Sequence, residues 1–260
     1  MIFKMFRIAR IVVLASFALS SAAWATCSKA SLSGPYGFLG GGTDSSGTFT
    51  TIVLQLTFDS ATATFTGTGT QSQDGVISSG SIKGKYAVAS NCTGTGTITA
   101  GGKTNPISFV VTSGGTGLRE ADGKAGATTG GLAVAQGSPT CTNAGVKGSF
   151  GFQASGVFLA GAPATGPVTF IGELVLSVNK AGDGVISGRV AGSEDGTILT
   201  FKEAPVTGSY SVIADCTGTA TITPSGHSAM HFSFVVVDGG KEALAIETDA
   251  DTVVSGTLQQ

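Results

Sequence analysis

Charge is scarce in this chain: Asp, Glu, Lys and Arg make up 12% of its 260 residues, about half the usual share. No basic cluster follows Arg10, and the net charge is −2. Neither a nucleic acid nor an anionic membrane surface would find a patch to bind. Histidine is nearly missing as well, with His227 and His231 the only two. A serine hydrolase needs a base beside its nucleophile, and no Gly-x-Ser-x-Gly elbow accompanies these histidines. On a strand, residues four apart lie about 13 Å from each other, too far to share one metal ion. From residue 26 onward no stretch repeats at 3.6 residues with helix caps, which excludes helical folds.

Long hydrophobic runs are absent except near the start. There, Lys4, Arg7 and Arg10 precede the apolar stretch Ile11 to Leu19, and Ala23-Trp24-Ala25 follows it. This is the pattern of a secretory signal with a small-residue cleavage site. About 10 to 14 apolar residues are too few to span a bilayer, and Trp24-Ala25-Thr26 before Cys27 is no lipobox. Residues 1–25 therefore read as a signal peptide. Its removal takes the only Trp and three basic residues, moving the net charge from −2 to −5. The mature chain is expected to be secreted or periplasmic, with no membrane span left.

What is abundant is glycine, 41 residues, together with threonine, in short alternating runs. Gly84-Lys-Tyr86-Ala-Val-Ala-Ser-Asn91-Cys92-Thr-Gly-Thr-Gly-Thr-Ile-Thr99 has a near copy in Gly208-Ser-Tyr210-Ser-Val-Ile-Ala-Asp215-Cys216-Thr-Gly-Thr-Ala-Thr-Ile-Thr223. Alternation, a small polar break and renewed alternation make a β-hairpin, with the cysteine opening its second strand. The copies extend outward. Gly34-Pro-Tyr36-Gly-Phe38 matches Gly148-Ser-Phe150-Gly-Phe152, and Leu54-Gln-Leu56-Thr-Phe58 matches Leu174-Val-Leu176-Ser-Val178. Ile107-Ser-Phe109-Val-Val111 matches Phe232-Ser-Phe234-Val-Val236, and Glu120-Ala-Asp122 answers Glu247-Thr-Asp249. A period of roughly 115 to 125 residues is too long for a solenoid and fits a duplicated domain, placed at 26–137 and 138–260.

The first copy predicts strands near 35–41, 48–58, 61–69, 76–82, 84–90, 92–99, 106–113, 116–121 and 127–134. Eight or nine short strands joined by tight turns indicate an all-β meander of about eight strands per copy. We read it as two tandem antiparallel barrels whose last strands close on their first. Gly94, Gly96 and Ile98 share the face opposite the threonines, small residues set against Phe109, which suits a narrow interior. An immunoglobulin-like sandwich lacks its core Trp, and a transmembrane barrel lacks aromatic girdles. The four cysteines lie beyond the signal, an even count that suggests two disulfides. One per copy gives Cys27–Cys92 and Cys141–Cys216 as the economical pairing.

The pattern Gly-x-Tyr-x-Val-x-x-Asp-Cys-Thr-Gly-Thr-x-Thr (Gly208 to Thr221), with Phe232 to Glu242 and Thr248-Asp249, resembles a group of uncharacterised secreted proteins from environmental bacteria. The first copy departs from it at Asn91 and at Ser113 to Thr116. The group is similar in architecture to allene oxide cyclase and lipocalin-like barrels. The resemblance implies a barrel fold and no particular activity.

No catalytic, metal-binding or cofactor-binding set emerges. Ser177-x-x-Lys180 has the spacing of a β-lactamase motif without its companions. The turn Asn179 to Gly184 lacks the ligands of a calcium loop, and Asn91-Cys92-Thr93 is a glycosylation sequon on a cysteine expected to be paired. Glu120, Asp122, Glu247 and Asp249, at strand ends, read as solvated acids. The aromatics Tyr36, Phe38, Phe58, Phe65, Tyr86 and Phe109, with Phe150, Phe152, Phe170, Tyr210, Phe232 and Phe234, read first as core and otherwise as the lining of a hollow barrel. The expected function is a secreted, non-enzymatic structural or surface-interaction protein. The alternatives are a carrier of a small apolar ligand and a cyclase or isomerase. Ligand-binding residues and any protein partner are left unassigned.

Overall fold

The structure, a computed structural model, describes residues 26–44, 46–122, 128–138, 141–162, 165–194 and 197–260; the expected signal peptide, 1–25, lies outside the described residues. Alternating apolar and polar residues with glycine at the turns produce sixteen strands among the described residues. The first eight are β1 (Gly34–Thr43), β2 (Phe49–Asp59), β3 (Thr64–Gln73), β4 (Val76–Val88), β5 (Thr93–Ala100), β6 (Lys103–Thr112), β7 (Gly117–Asp122) and β8 (Gly130–Ala135). The second eight are β9 (Gly148–Phe158), β10 (Gly166–Val178), β11 (Gly184–Glu194), β12 (Thr197–Val212), β13 (Thr217–Pro224), β14 (Met230–Val237), β15 (Glu242–Glu247) and β16 (Thr252–Gln259). Each set forms a closed antiparallel barrel in meander order, with β8 pairing β1 and β16 pairing β9. Closure leaves no strand edge unpaired in either ladder.

Two of the runs read from the sequence as separate strands, 76–82 and 84–90, are one strand, β4. Gly84 is not a break. It leaves room for the Phe65 ring, whose Cζ would lie 2.2 Å from any Cβ placed there. The register also corrects two matches between the copies. Tyr36 and Phe150 pair with Leu56 and Leu174 respectively, so Leu56 corresponds to Leu174 and Leu54 to Gly172. Likewise Ile107 pairs with Asp122 and Phe232 with Glu247, so Glu247 corresponds to Asp122, and Glu120 to Ala245. Both matches slipped by two residues, a shift that keeps every side chain on its face and so leaves no trace in the alternation.

Disulfides join Cys27 to Cys92 and Cys141 to Cys216. Each cysteine of the hairpin sits in the turn rather than opening the second strand, with φ of 68° at Cys92 and 67° at Cys216. Each disulfide draws a 3₁₀ turn, Lys29–Ser31 or Asn143–Gly145, across one end of its barrel. The apolar residue behind each turn, Leu32 or Val146, is fully buried and seals that end. The tyrosine of the repeated motif latches the seal. Tyr86 Oη shares its proton between the carbonyls of Lys29 and Leu32 at 3.1 and 3.0 Å, and Tyr210 does the same with Asn143 and Val146 at 2.8 and 2.9 Å. Burial raises the pKa of both hydroxyls, so they remain donors. Removing either hydroxyl leaves one buried and one half-buried carbonyl without it while keeping the ring. Tyr86→Phe and Tyr210→Phe are each expected to lower stability by about 1–3 kcal/mol, read as a shift of the urea midpoint; an unmoved midpoint would mean the latch is idle.

The barrels pack side by side. Leu39, Val53, Leu132 and Val134 of the first meet Val235, Val237, Leu244 and Ile246 of the second. Gly37 permits the approach, since a Cβ there would lie 2.5 Å from Val237 Cγ1. Gln136, buried in the linker, donates from Nε2 to the carbonyls of Asp215 and Val236, both at 3.2 Å. At the other edge of the contact Asp251 N–H donates to Gly75 O at 3.0 Å, and Ser72 Oγ donates to Thr252 O.

Candidate functional site

The two barrels share a plan and differ in what fills them. In both, small residues of the hairpin strand face large ones: Gly94 stands opposite Phe109, and Gly218 opposite Phe234. A Cβ at Gly94 would lie 2.2 Å from the Phe109 ring, and one at Gly218 2.4 Å from the Phe234 ring. Towards the unsealed end the copies diverge. Register places Gly96, Asn105, Ile107 and Ala133 of the first barrel where Ala220, Met230, Phe232 and Leu258 stand in the second. These four exchanges add apolar volume to the second barrel, against the loss of Leu54 to Gly172 and of Leu118 to Ala243. Its interior keeps a void of only about 30 Å³, whereas the first barrel holds a cavity of about 280 Å³.

The floor of that cavity is aromatic. Phe58 packs edge-on against Tyr36 at 5.1 Å and Tyr86 at 5.4 Å, and tilted against Phe65 at 5.4 Å. These contacts fix the rings in favourable geometry. The walls are Phe38, Ile52, Leu54, Leu56, Ile82, Ile98, Ile107, Phe109 and Leu118. Five polar side chains also line it: Thr50, Gln71, Asn105, Glu120 and Thr129. All five lie towards the unsealed end, near the β1–β2, β3–β4, β5–β6 and β7–β8 connections. The result is an apolar chamber under a polar mouth. Of the aromatics marked in the sequence, Phe38, Phe58, Phe65, Tyr86 and Phe109 line this chamber and Tyr36 supports it from below. Those of the second copy are core. Of the polar residues of the mouth the sequence singled out Glu120 alone, and as a solvated acid; Thr50, Gln71, Asn105 and Thr129 escaped it, although each continues the inward-facing parity of its strand or of the strand it leads into.

The acids behave differently from each other. Glu120 is half-buried at the mouth; the side chain of Asp122 lies outside the described residues. Glu247, read from the sequence as solvated, is buried inside the second barrel at 3% exposure. Its Oε2 has no hydrogen-bond partner among the described residues. Burial, the charge of Asp249 and a side-chain hydrogen bond with Asp249 push its pKa up to about 8. Asp249 in turn accepts from the backbone N–H of His231 at 2.8 Å and pairs with its Nδ1 at 2.7 Å. His231 thus serves a carboxylate, while His227 lies in the turn after Pro224.

Other sequence candidates resolve into turn chemistry. Asn179 Oδ1 accepts from the N–H groups of Ala181 and Asp183 at 2.9 and 3.0 Å. Asn91 Oδ1 accepts from Thr93 N–H and Oγ1 at 3.2 and 2.7 Å. Among the described residues no group of three or more His, Cys, Asp or Glu is placed to hold a metal ion, and no helix is long and apolar enough to cross a membrane.

No protein-family model matches the chain, and no curated protein matches it in sequence. Two solved structures align along most of its length. Kievitone hydratase from Nectria haematococca is 6% identical with a TM-score of 0.32, over 92% of this chain and 94% of that one. A protein of unknown function from the DUF3598 family of Nostoc punctiforme is 10% identical with a TM-score of 0.28, over 88% and 96%. At these scores, what either protein does says nothing of this chain.

Proposed function

We propose that this is a secreted, non-enzymatic binding protein that holds one small, largely apolar molecule in its first barrel, with the second barrel as a filled structural partner. The observation that carries the reading is the contrast between two barrels of one design, one packed to the centre and the other hollow under a polar mouth. A purely structural role gives no reason for that difference, because an empty apolar cavity destabilises by roughly 24 cal/mol per Å³. The volume lies at the small end of ligand sites, which run to about 300 Å³ and above. A cavity of about 150 Å³ accepts benzene, so this one suits a molecule of roughly twice that size. Export is supported by the N-terminal pattern and by the two disulfides, which persist in oxidising compartments.

The second barrel supplies the test. Asn105→Met with Ile107→Phe transplants its filling into the first. The double variant is expected to fold, to gain about 1–2 kcal/mol from the filled void, and to lose the ligand. Native mass spectrometry of the protein purified from its own host reads the outcome. A small-molecule adduct on the wild type, lost on denaturation and absent from the double variant, supports the carrier reading. A bare wild type that also fails to take up small apolar compounds overturns it.

A further inference from the structure

We infer that the molecule held in the first barrel is aromatic, a flat system of two fused rings, and that Phe58 and Phe65 select it over a saturated molecule of the same skeleton; this rests on the carrier reading above. The inference follows from what lies at the floor of each barrel. In the first, Phe58 stands opposite Phe65 across β2 and β3, and both rings line the cavity. Register places Leu176 and Ile186 at the same two positions of the second barrel. Strand order, seal and latching tyrosine are common to both copies, so aliphatic side chains suffice to close the floor of this fold. Phenylalanine is bulkier than leucine or isoleucine, yet the two rings stand in the barrel that is hollow. The rings that the second barrel adds, Phe170 and Phe232, stand where Ile52 and Ile107 stand in the first and fill the space nearer its unsealed end. Phe58 and Phe65 therefore accompany the cavity, and the filling of volume does not account for them.

The geometry of the floor suits another ring. Phe58 meets Tyr36 and Tyr86 edge to face, at 5.1 and 5.4 Å, and Phe65 at a tilt. These neighbours hold one another in place, so the surface they turn to the cavity is set before a ligand arrives. A ligand ring added to the cluster gains offset or edge-to-face contacts beyond the apolar area it buries. A saturated ring gains the area alone. Size agrees with this reading. A cavity of about 150 Å³ accepts benzene, and this one measures about 280 Å³, which suits two fused rings with one small substituent. At the mouth the amides of Gln71 and Asn105 line the cavity, and either can donate to such a substituent or accept from it.

The experiment uses the full mature chain and isothermal titration calorimetry with naphthalen-2-ylmethanol, its fully saturated decahydro counterpart and undecan-1-ol. The three share one primary alcohol and one carbon count, so the mouth meets the same head in each. Hydrophobic transfer alone ranks the saturated bicycle and the chain above the aromatic, because they carry more apolar surface. The aromatic is nevertheless expected to bind at least about fivefold more tightly than either. Phe58→Leu with Phe65→Ile gives the floor the residues of the second barrel. That variant is expected to unfold as cooperatively as wild type and to bring the three ligands within about twofold of each other. The wild-type ranking is a test by itself, whether or not the variant folds. The saturated bicycle or undecan-1-ol binding as tightly as the aromatic overturns the aromatic inference and leaves the carrier reading standing. A preference undiminished in the folded variant overturns the assignment to Phe58 and Phe65. Failure of all three to bind, with the Asn105→Met/Ile107→Phe variant indistinguishable from wild type, overturns the carrier reading itself.

Discussion

Replacing Cys27 and Cys92 together by alanine is expected to lower the stability of the first barrel by about 4 kcal/mol, the chain-entropy value for a loop of this length. The two residues are 65 apart in sequence, and the bond ties the sealing turn to the hairpin, so its loss frees Leu32 and exposes the aromatic floor. A second contribution opposes the first. Ala89 N–H donates to Thr93 O at 2.8 Å and Cys92 N–H to Ala89 O at 2.9 Å, which makes a three-residue loop whose last residue is left-handed. Glycine is the residue that such a position favours. A side chain there costs about 1–2 kcal/mol. Cys27→Ala with Cys92→Gly should therefore be more stable than the double alanine variant by about 1 kcal/mol. Denaturant midpoints of the three proteins separate the staple from the backbone. Equal midpoints for the glycine and alanine variants would show that the turn carries no strain of its own. The same comparison at Cys216, with φ of 67°, should repeat the result in the second barrel.

The strands, the duplication and the meander were legible because strict alternation and Gly-rich turns leave few other readings. The relative register of the copies was not, because a slip of two residues preserves parity. The hairpin motif drew attention as a signature, yet its tyrosine is a latch for the barrel seal, a role that depends on carbonyls more than 50 residues away. Whether a barrel is hollow rests on the balance of side-chain volumes at its inward positions, and alternation alone does not measure volume. The burial of Glu247 was hidden for a specific reason. Along β15 the bulky residues Leu244 and Ile246 face the other barrel, while the small Ala243 and Ala245 face the interior. Hydropathy thus marks the outer face of this strand as its core, and Glu247, on the parity of the alanines, reads as outward.

That buried acid sets the second large expectation: Glu247→Gln should make the protein progressively more stable than wild type as the pH is raised. In the unfolded chain a glutamate loses its proton near its ordinary value of about 4.3, whereas in the fold Glu247 keeps it up to about 8. Between these values the native state binds more protons than the unfolded one, so wild-type stability falls as the pH rises and levels off above about 8. Each tenfold change in proton affinity is worth about 1.4 kcal/mol, so the loss across that window is on the order of 5 kcal/mol. Glutamine cannot ionise, so the variant lacks this slope. Urea midpoints at pH 5 and pH 9 should place the two proteins close together at the lower value and the variant well ahead at the higher one. Parallel pH profiles would mean that Glu247 is already ionised in the fold at neutral pH. Asp249→Asn provides the complementary arm. It removes the neighbouring charge that adds to burial in raising the Glu247 pKa, while its amide oxygen can still accept from His231 N–H, so it should make the pH profile shallower than that of wild type without abolishing the slope. The effect should reach the barrel contact too, because the turn that carries Asp249 leads into Asp251, whose N–H donates to Gly75 at the mouth end of the first barrel. Ionisation of Glu247 against Asp249 pushes on that turn. Hydrogen exchange at Asp251 is expected to accelerate above pH 8 in wild type beyond the intrinsic base-catalysed rate, and not in Glu247→Gln.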